Sequence, residues 1–224
     1  QSPSKRDDLF LFTKVGLDMG IPGHQGLSKR WIMQVVEDSL KRLNTDYIDL
    51  YFAHWPDENT PYEETLAAFD QLKQQGKIRA YGTSNLGATQ LQQSIEAAKK
   101  INVPHYQVLQ PEYNLYDRQG FEEQLKPICL EHEIGVVSYY SLASGFLSGK
   151  YRGLDKIKGS KRAESLSKYF TPRGERILKA LDLVAERHNA KLADIALAWV
   201  LTREGITAPI ASATTVEQIE SFSK

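Results

Sequence analysis

The chain has 224 residues, 41% hydrophobic and 25% charged, a composition typical of a globular protein with one large domain or two small ones. Its 28 basic and 28 acidic residues cancel, which argues against nucleic acid and anionic membranes as partners, because both require a basic surplus. The single cysteine, Cys129, excludes an internal disulfide and a cysteine-rich zinc site, so we expect no metal and a reducing compartment, the cytoplasm. No apolar run approaches the ~20 residues that span a bilayer, and no signal-peptide pattern follows Gln1.

One pattern repeats along the chain: a short apolar run ends in polar residues, and an amphipathic stretch follows. Near-continuous apolar runs are typical of parallel strands, which are buried on both faces. The predicted strands are Leu9–Val15, Tyr47–His54, Ile78–Ser84, Tyr106–Gln110, Gly135–Tyr140 and Ile206–Ser212.

Capping residues and helical periodicity predict the helices between these strands. Ser28 is a cap for a helix whose apolar face holds Ile32, Val35, Val36 and Leu40. A capping box at 60–63 starts the next helix, with Pro61 at its first position and Gly76 at its end. Its apolar face is Leu66, Phe69 and Leu72. Thr171-Pro172 opens a third helix, so that two tandem helices, about 172–188 and 191–203, precede the last strand.

Six strand-then-helix units indicate an α/β protein with a parallel sheet, either an open doubly wound sheet or a (β/α)8 TIM barrel. No glycine-rich dinucleotide turn follows any strand, and polar residues stand at nearly every strand's C-terminal end; both observations favour the barrel. Six strands do not close such a barrel. We therefore expect one partial barrel domain over residues 1–224, with the first two β/α units and the C-terminal tail missing from this chain. The stretch 144–174 is predicted as a long irregular loop, either a lid over a site or a solvated excursion.

The first two strand ends carry ionisable side chains. Because strand side chains alternate between faces, Lys14 shares a face with Phe10 and Phe12, and His54 shares one with Phe52. Lys14 is either a cation that snorkels to solvent or a half-buried amine that shifts a neighbour's pKa or forms a Schiff base. A single histidine such as His54 is more often structural, but two ionisable groups at adjacent strand ends favour a catalytic site. Trp55 either walls a substrate pocket or packs in the core.

The later strand ends carry groups suited to a flat, phosphorylated ligand. Ser84, Asn85 and Gln110 are hydrogen-bonding partners for an amide, although Ser84 and Asn85 are equally typical of a turn. Tyr139 is an aromatic surface for stacking, and the small residues after it allow backbone N–H groups to approach a phosphate. The hydroxyl-rich run 211–215 precedes a helix start, where it is either a phosphate site or an ordinary cap.

The strand-end motifs, taken in order, resemble those of the aldo-keto reductases, in particular the branch with bacterial general reductases and potassium-channel β subunits. They read FTKVG, YFAHWPD, YGTSN, VLQPEYN, YYSLASGFLSGKY and IASATTVEQIE, and they cover essentially the whole chain. The resemblance implies a (β/α)8 barrel that binds NADP(H) rather than NAD(H) and transfers a hydride to a small-molecule carbonyl substrate. The alternative it leaves open is a cofactor-binding regulatory subunit with little or no turnover.

The resemblance also assigns roles to individual residues. Lys14 and His54 match the family's catalytic lysine and histidine, and Trp55 would contact substrate. The family's catalytic aspartate and tyrosine belong to a unit before Lys14, so we expect neither in this chain. Ser84, Asn85 and Gln110 would hold the nicotinamide carboxamide, and Tyr139 would stack on its ring. The remaining cofactor contacts would be Leu142, Ser144, Lys150, Arg162, Ser212, Thr214 and Gln218.

Two positions in the fifth motif differ from the family pattern. The family's aromatic residue is followed by Ser-Pro-Leu-Ala-x-Gly, whereas this chain has Tyr140 in place of the serine and Ser141 in place of the proline. The conformation of this loop is therefore a question for the structure.

Overall fold

The computed structural model describes residues 5–18, 20, 25–157 and 163–222. The chain divides into two compact units. The first unit comprises Gln1–Gln110 and Ile128–Gly135, and the second comprises Pro111–Pro127 and Val136–Lys224.

The first unit alternates strands and helices. Its elements are β1 (Phe12–Val15), α1 (Lys29–Leu43), β2 (Ile48–Ala53), α2 (Tyr62–Gln74), β3 (Ile78–Ser84), α3 (Ala88–Lys100) and β4 (Val108–Gln110). The four strands pair in chain order and are all parallel. Parallel neighbours joined by a helix are the arrangement that the apolar runs predict, because such strands are covered on both faces.

Aromatic side chains fill the core of this unit. All six residues of β2 are buried. Phe69 on α2 stacks on Tyr81 at 5.5 Å and meets Tyr51 edge-to-face at 5.7 Å, measured between ring centroids. Leu66 and Leu72 on the same helix face are fully buried, as predicted. Each such side chain contributes about 1.5–3 kcal/mol through its removal from water.

The second unit has its own core beneath its helices. Its elements include a π-helical turn at Gly120–Leu125, a 3-10 segment at Ala143–Ser148 that is interrupted by a left-handed kink at Ser144 and Gly145, and a second 3-10 segment at Leu154–Ile157. Its helices are α5 (Ala163–Ser167), α6 (Pro172–His188), α7 (Leu192–Leu201) and α8 (Val216–Phe222). Strand β5 (Gly135–Ser138) pairs in parallel with β6 (Ala208–Pro209) through Val137 and Ser138. The chain passes from the second unit into the first within α4 (Lys126–Glu131). The buried cluster comprises Ala143, Phe146, Leu147, Ile157, Leu166, Tyr169, Leu178, Leu181 and Ala196.

The structure confirms all six predicted strands and most of the predicted helix starts and ends. The observed strands other than β3 are shorter than their predicted ranges. Strand β1 starts at Phe12 rather than Leu9, because the backbone of residues 9 and 10 lies outside the pairing with β2. The tandem helices α6 and α7 are present. Ser28 and Thr171 both cap their helices, through bonds accepted from Trp31 N and Gly174 N.

Two predictions were wrong. The capping box at 60–63 does not form: Pro61 is itself the cap residue of α2, and the Thr60 hydroxyl donates instead to Asp57 at 2.7 Å. The stretch 144–174 is not one irregular loop, because its described part contains the 3-10 turns and α5. Among the helices formed by described residues, none is long and apolar enough to cross a membrane.

Candidate active site

The site in the first unit is built at the carboxyl ends of four parallel strands. Lys14 is the third residue of β1 and lies opposite Phe52 of β2 in the register. His54 follows the last residue of β2, and its backbone N–H donates to the carbonyl oxygen of Val15 at 2.8 Å. This bond continues the ladder one step beyond β2 and fixes His54 beside the end of β1. Lys14 and His54 therefore lie at the ends of adjacent strands, as the sequence predicts.

Lys14 and His54 are electrostatically linked. The Lys14 amine lies 5.9 Å from the centre of the Phe52 ring, and both ionisable side chains are half-buried. Burial lowers the pKa of Lys14. Burial, followed by the positive charge of Lys14, lowers the pKa of His54. The imidazole is therefore neutral at physiological pH, because its ordinary value of 6.5 already lies below that pH.

Trp55 covers His54 on the outside. The indole and imidazole rings are stacked, with centroids 6.0 Å apart and an angle of 21° between their planes. Trp55 is 48% exposed, which excludes the core-packing interpretation of this side chain. An exposed flat ring over a neutral imidazole forms an apolar wall beside two polar groups.

The ends of β3 and β4 are tied to each other and to β2. The buried Ser84 hydroxyl donates to the backbone carbonyl of Gln110 at 2.8 Å. Asn85 adopts a left-handed backbone with φ of 62°, and its side-chain nitrogen donates to the backbone carbonyl of His54 at 2.8 Å. Asn85 thus helps to hold the histidine. Gln110 is itself buried. The structure brings Lys14, His54, Trp55, Ser84, Asn85 and Gln110 to one edge of a parallel sheet.

Asp57 is a positioning residue that sequence reasoning missed. Its carboxylate accepts bonds from the Leu27 N–H at 2.8 Å and from the Thr60 hydroxyl at 2.7 Å. Burial raises its pKa, but the hydrogen bonds from Thr60, Leu27 and Asn59 outweigh burial and lower the pKa overall. Asp57 thereby joins the segment after β1 to the segment that carries His54. The signal in the sequence was the aspartate after Pro56, a residue type that commonly bonds to nearby backbone N–H groups in turns.

In the second unit, backbone bonds on both sides fix Tyr139. Its N–H donates to the Pro111 carbonyl at 3.0 Å, and its carbonyl accepts from the Tyr113 N–H at 3.3 Å. The ring of Tyr139 meets Tyr140 edge-to-face at 5.1 Å. Burial, followed by the charge of Glu112 and by Tyr140, raises the pKa of Tyr139 to about 12, so the phenol stays neutral.

Left-handed backbone conformations follow Tyr139. Tyr140 has φ of 52°, and Ala143, Ser144 and Gly145 in succession have φ of 49°, 57° and 97°. Non-glycine residues adopt such values at a cost of about 1–3 kcal/mol each, and they concentrate at functional sites. Successive N–H groups in turns of this kind form a concave surface suited to an anion. The side chain of Leu142, in the same turn, packs against the core of the unit.

Ser141, which stands where the family pattern has a proline, is buried and bonded to Ser138. Its hydroxyl donates to the Ser138 carbonyl at 3.0 Å and lies 3.1 Å from the Ser138 hydroxyl. These contacts fix the backbone in place of a proline ring.

The other predicted cofactor residues that the structure describes lie outside this turn. Lys150 is exposed, with its amine 5.5 Å from the centre of the Tyr151 ring. Ser212 is exposed. The backbone N–H of Thr214 donates to the side chain of Gln218 at 2.7 Å, and the Gln218 N–H donates to the Thr215 hydroxyl at 3.4 Å, at the start of α8. Arg162 lies outside the described residues. Tyr139, Leu142 and Ser144 therefore belong to one short segment, and Thr214 and Gln218 contact each other in another.

The fold and site define a class: an α/β protein of parallel strands whose polar side chains gather at the strands' carboxyl ends, as in barrel enzymes. The sequence profile of the aldo/keto reductase family matches residues 1–223. A probable voltage-gated potassium channel subunit beta of Arabidopsis thaliana is 32% identical, over 98% of this chain and 69% of its own length. Aldo-keto reductase YhdN of Bacillus subtilis is 33% identical, over 98% of this chain and 66% of its own length.

A third relative is L-glyceraldehyde 3-phosphate reductase of Escherichia coli (strain K12), which is 31% identical over 96% of this chain and 64% of its own length. The chain thus spans about two thirds of the length of these relatives. It belongs to the aldo/keto reductase family, whose fold is the (β/α)8 barrel that the strand-end pattern favours.

Proposed function

We propose that the protein is an NADP(H)-dependent oxidoreductase that reduces aldehydes or ketones to alcohols. The observation that carries the proposal is the position of Lys14 and His54 at adjacent strand ends, where burial and then the charge of Lys14 lower the pKa of His54. We place the reaction in the cytoplasm, since Cys129 is a free, buried thiol. Membership of the family and the relatives that are named as reductases support the reaction class.

The residues of each unit fit parts of a nicotinamide dinucleotide. In the first unit, Ser84, Asn85 and Gln110 provide the hydroxyl and amide groups that a carboxamide requires. In the second unit, Tyr139 is a neutral aromatic surface for stacking, and the left-handed turn at 143–145 suits a pyrophosphate. Lys150, Arg162, Ser212, Thr214 and Gln218 are proposed to contact the phosphates and the adenosine. NADPH held by these residues would supply the hydride for the carbonyl carbon.

The chain's own residues act on the carbonyl oxygen, where negative charge develops. His54 is neutral, so it donates an N–H hydrogen bond that orients the oxygen and strengthens as charge builds. The Lys14 ammonium stabilises the same charge and the ionised form of a proton donor beside it. Asn85 keeps His54 in place through its backbone carbonyl. Trp55 excludes water from the outer side of the imidazole.

The test measures NADPH binding and NADPH oxidation by the natural full-length protein with a panel of aldehydes. We expect turnover, and we expect Lys14→Met and His54→Phe to reduce kcat/KM by roughly 10²–10⁴ while NADPH binding is largely kept. Lys73→Met is the matched control, because Lys73 is exposed at the end of α2. A protein that neither binds NADPH nor oxidises it with any aldehyde of the panel would overturn the proposal.

The second candidate is a cofactor-binding regulatory subunit with little or no turnover. It is favoured by the relatives that are named as potassium channel β subunits, in Arabidopsis thaliana and in Oryza sativa subsp. japonica. The same experiment separates the two candidates, since NADPH binding without oxidation across the panel supports the regulatory subunit.

A further inference from the structure

Asn114 is a fully buried amide in the second unit that no part of the proposed reaction uses. Its side-chain oxygen accepts hydrogen bonds from the backbone N–H groups of Tyr116 at 2.8 Å and Asp117 at 2.9 Å. Its side-chain nitrogen donates to the backbone carbonyl of Tyr140 at 3.0 Å and to the Asp117 carboxylate at 3.4 Å. The two ends of the amide therefore bind two different segments of the chain.

The segment bound by the nitrogen is strained. Tyr140 has φ of 52°, a left-handed conformation that a tyrosine adopts only when its surroundings impose it. The carbonyl of Tyr140 also accepts the Ala143 N–H at 2.7 Å, which closes the turn that leads into the left-handed residues 143–145. Asn114 thus bonds to the first residue of this turn.

The residue before Tyr140 is held from the same direction. The stretch 111–113 pairs with Tyr139 through backbone bonds from both sides and a parallel bridge between Glu112 and Tyr139. Backbone pairing therefore fixes Tyr139, but it ends there. The next residue, Tyr140, is held instead by a hydrogen bond that the Asn114 side chain donates to its carbonyl oxygen.

We propose that Asn114 is a positioning residue for the dinucleotide site of the second unit. By holding Tyr140 in the left-handed conformation, it sets the direction of the Tyr139 ring and presents the backbone N–H groups of the turn at 142–145. This inference rests on the proposed function, since it assigns how the cofactor's aromatic and phosphate contacts are kept in place.

A purely structural role would involve the other end of the amide. The bonds to Tyr116 and Asp117 organise the turn 114–117, and this turn would stabilise the fold whether or not a cofactor binds. Asn114→Asp keeps an oxygen for the N–H groups of that turn, but it removes both bonds donated by the amide nitrogen, to the Tyr140 carbonyl and to the Asp117 carboxylate. A Tyr140→Gly background isolates the part of the effect that acts through Tyr140. Tyr116→Phe is the matched control. It removes a hydroxyl that contacts Thr171 at 3.0 Å and leaves the bond to Tyr140 intact.

The experiment uses the natural full-length protein and two readouts: the Kd of NADPH from its fluorescence, and the hydrogen exchange of the backbone amides of residues 139–145. For Asn114→Asp we expect Kd to rise roughly tenfold and exchange in 139–145 to accelerate by a similar factor. For Tyr116→Phe we expect a lower Tm with Kd and exchange in 139–145 unchanged. Glycine adopts positive φ without strain, so Asn114→Asp should raise Kd by a smaller factor in a Tyr140→Gly background than in the wild type.

Unchanged exchange in 139–145, or faster exchange without a change in Kd, would overturn the inference. It would equally be overturned if Tyr116→Phe raised Kd as much as Asn114→Asp. A wild-type protein that does not bind NADPH overturns the proposed function. The exchange measurement then still decides whether Asn114 holds the turn.

Discussion

At the scale of single residues, the state of His54 is set by a charge on a neighbouring strand. The imidazole belongs to the end of β2, whereas the amine that lowers its pKa belongs to β1. Burial is the larger cause of the shift, and the charge of Lys14 adds to it. Removing the charge should therefore abolish the smaller part of the pKa shift and leave the part that burial causes.

We predict that Lys14→Met raises the pKa of His54 toward its ordinary value of 6.5 without reaching it, because burial remains. The measurement is an NMR titration of the His54 ring protons, with Lys73→Met as the control for loss of a distant exposed lysine. An unchanged His54 pKa in Lys14→Met would show that the two groups are not coupled.

The same shift has a consequence for stability. Since the folded state binds a proton at His54 less readily than the unfolded state does, the free energy of unfolding should fall as pH drops through the ordinary value of 6.5. The fall should be smaller in Lys14→Met than in the wild type. Urea unfolding at neutral pH and at a mildly acidic pH measures the difference.

At the scale of elements, the helix caps show where local sequence is sufficient. Ser28 and Thr171 precede helices and accept the bonds that their residue types favour at a cap. Thr60 also precedes a helix with a suitable pattern, yet its hydroxyl bonds to Asp57 instead. Helix α2 begins at Tyr62, so the cap position falls on Pro61, whose side chain has no hydrogen-bond acceptor, and Thr60 lies one residue too early to cap the helix.

We predict that Thr171→Ala lowers the free energy of unfolding by about 1–2 kcal/mol, because it removes the cap of α6 and a contact with the Tyr116 hydroxyl. Thr171→Ser keeps the hydroxyl and should recover most of the loss. Thermal or urea unfolding provides the comparison. Equal losses for the two variants would contradict the capping role.

Position 82 of β3 requires glycine, because neighbouring atoms occupy the space that a Cβ would need. It lies opposite Phe52 in the register, and a Cβ at this position would lie 2.5 Å from the Val108 carbonyl oxygen and 2.7 Å from the Phe52 ring. The glycine thus lets Phe52 lie next to Lys14 in the sheet. Neither neighbour can move away easily, because one is a backbone carbonyl and the other is a buried aromatic ring.

We predict that Gly82→Ala lowers the free energy of unfolding by roughly 1–3 kcal/mol through overpacking. Gly120→Ala is the matched control, since a Cβ there meets no atom within 4 Å, and it should be neutral or slightly stabilising. Urea unfolding of both variants tests the pair. A loss in Gly120→Ala as large as that in Gly82→Ala would rule out crowding as the cause.

At the scale of the whole molecule, a buried ion pair and the proposed catalytic histidine lie at opposite ends of β2. Asp49, near the start of the strand, is 5% exposed and bonds to Arg6 at 2.8 Å and Arg79 at 3.1 Å. The guanidinium groups of both arginines lie over the ring of Tyr47, at 3.8 and 4.0 Å from its centroid. His54, at the other end, lies beside Lys14, Trp55 and Asn85, and its catalytic role is the one proposed above. This division is common in barrels, where the amino ends of strands serve stability.

We predict that Asp49→Asn lowers the free energy of unfolding by about 3 kcal/mol, because it leaves Arg6, whose side chain is 12% exposed, without its buried counter-charge. Arg79→Ala should cost less than about 1 kcal/mol, because that side chain is 57% exposed. Urea unfolding at low and high salt compares the two. Neither variant should change aldehyde reduction at a temperature where both are folded, and equal losses would refute a buried pairing with Arg6.

The sequence by itself determined the alternation of strands and helices, the six strand segments, and the shared face of Lys14 and His54. These follow from local rules, the period of two along a strand and the apolar stripe of a helix, which do not depend on distant residues. The family, too, is carried by motifs of a few residues in a fixed order.

Only the tertiary structure decided which polar groups hold the site together. Asn85 bonds to His54, Asp57 to Leu27, and Asn114 to Tyr140, and each pair is separated by 26 to 31 residues along the chain. Such bonds depend on strand register and on how loops return to the sheet, which no local pattern specifies. The left-handed turn after Tyr139 belongs here as well, because a strained backbone is stable only through contacts made by residues remote in sequence.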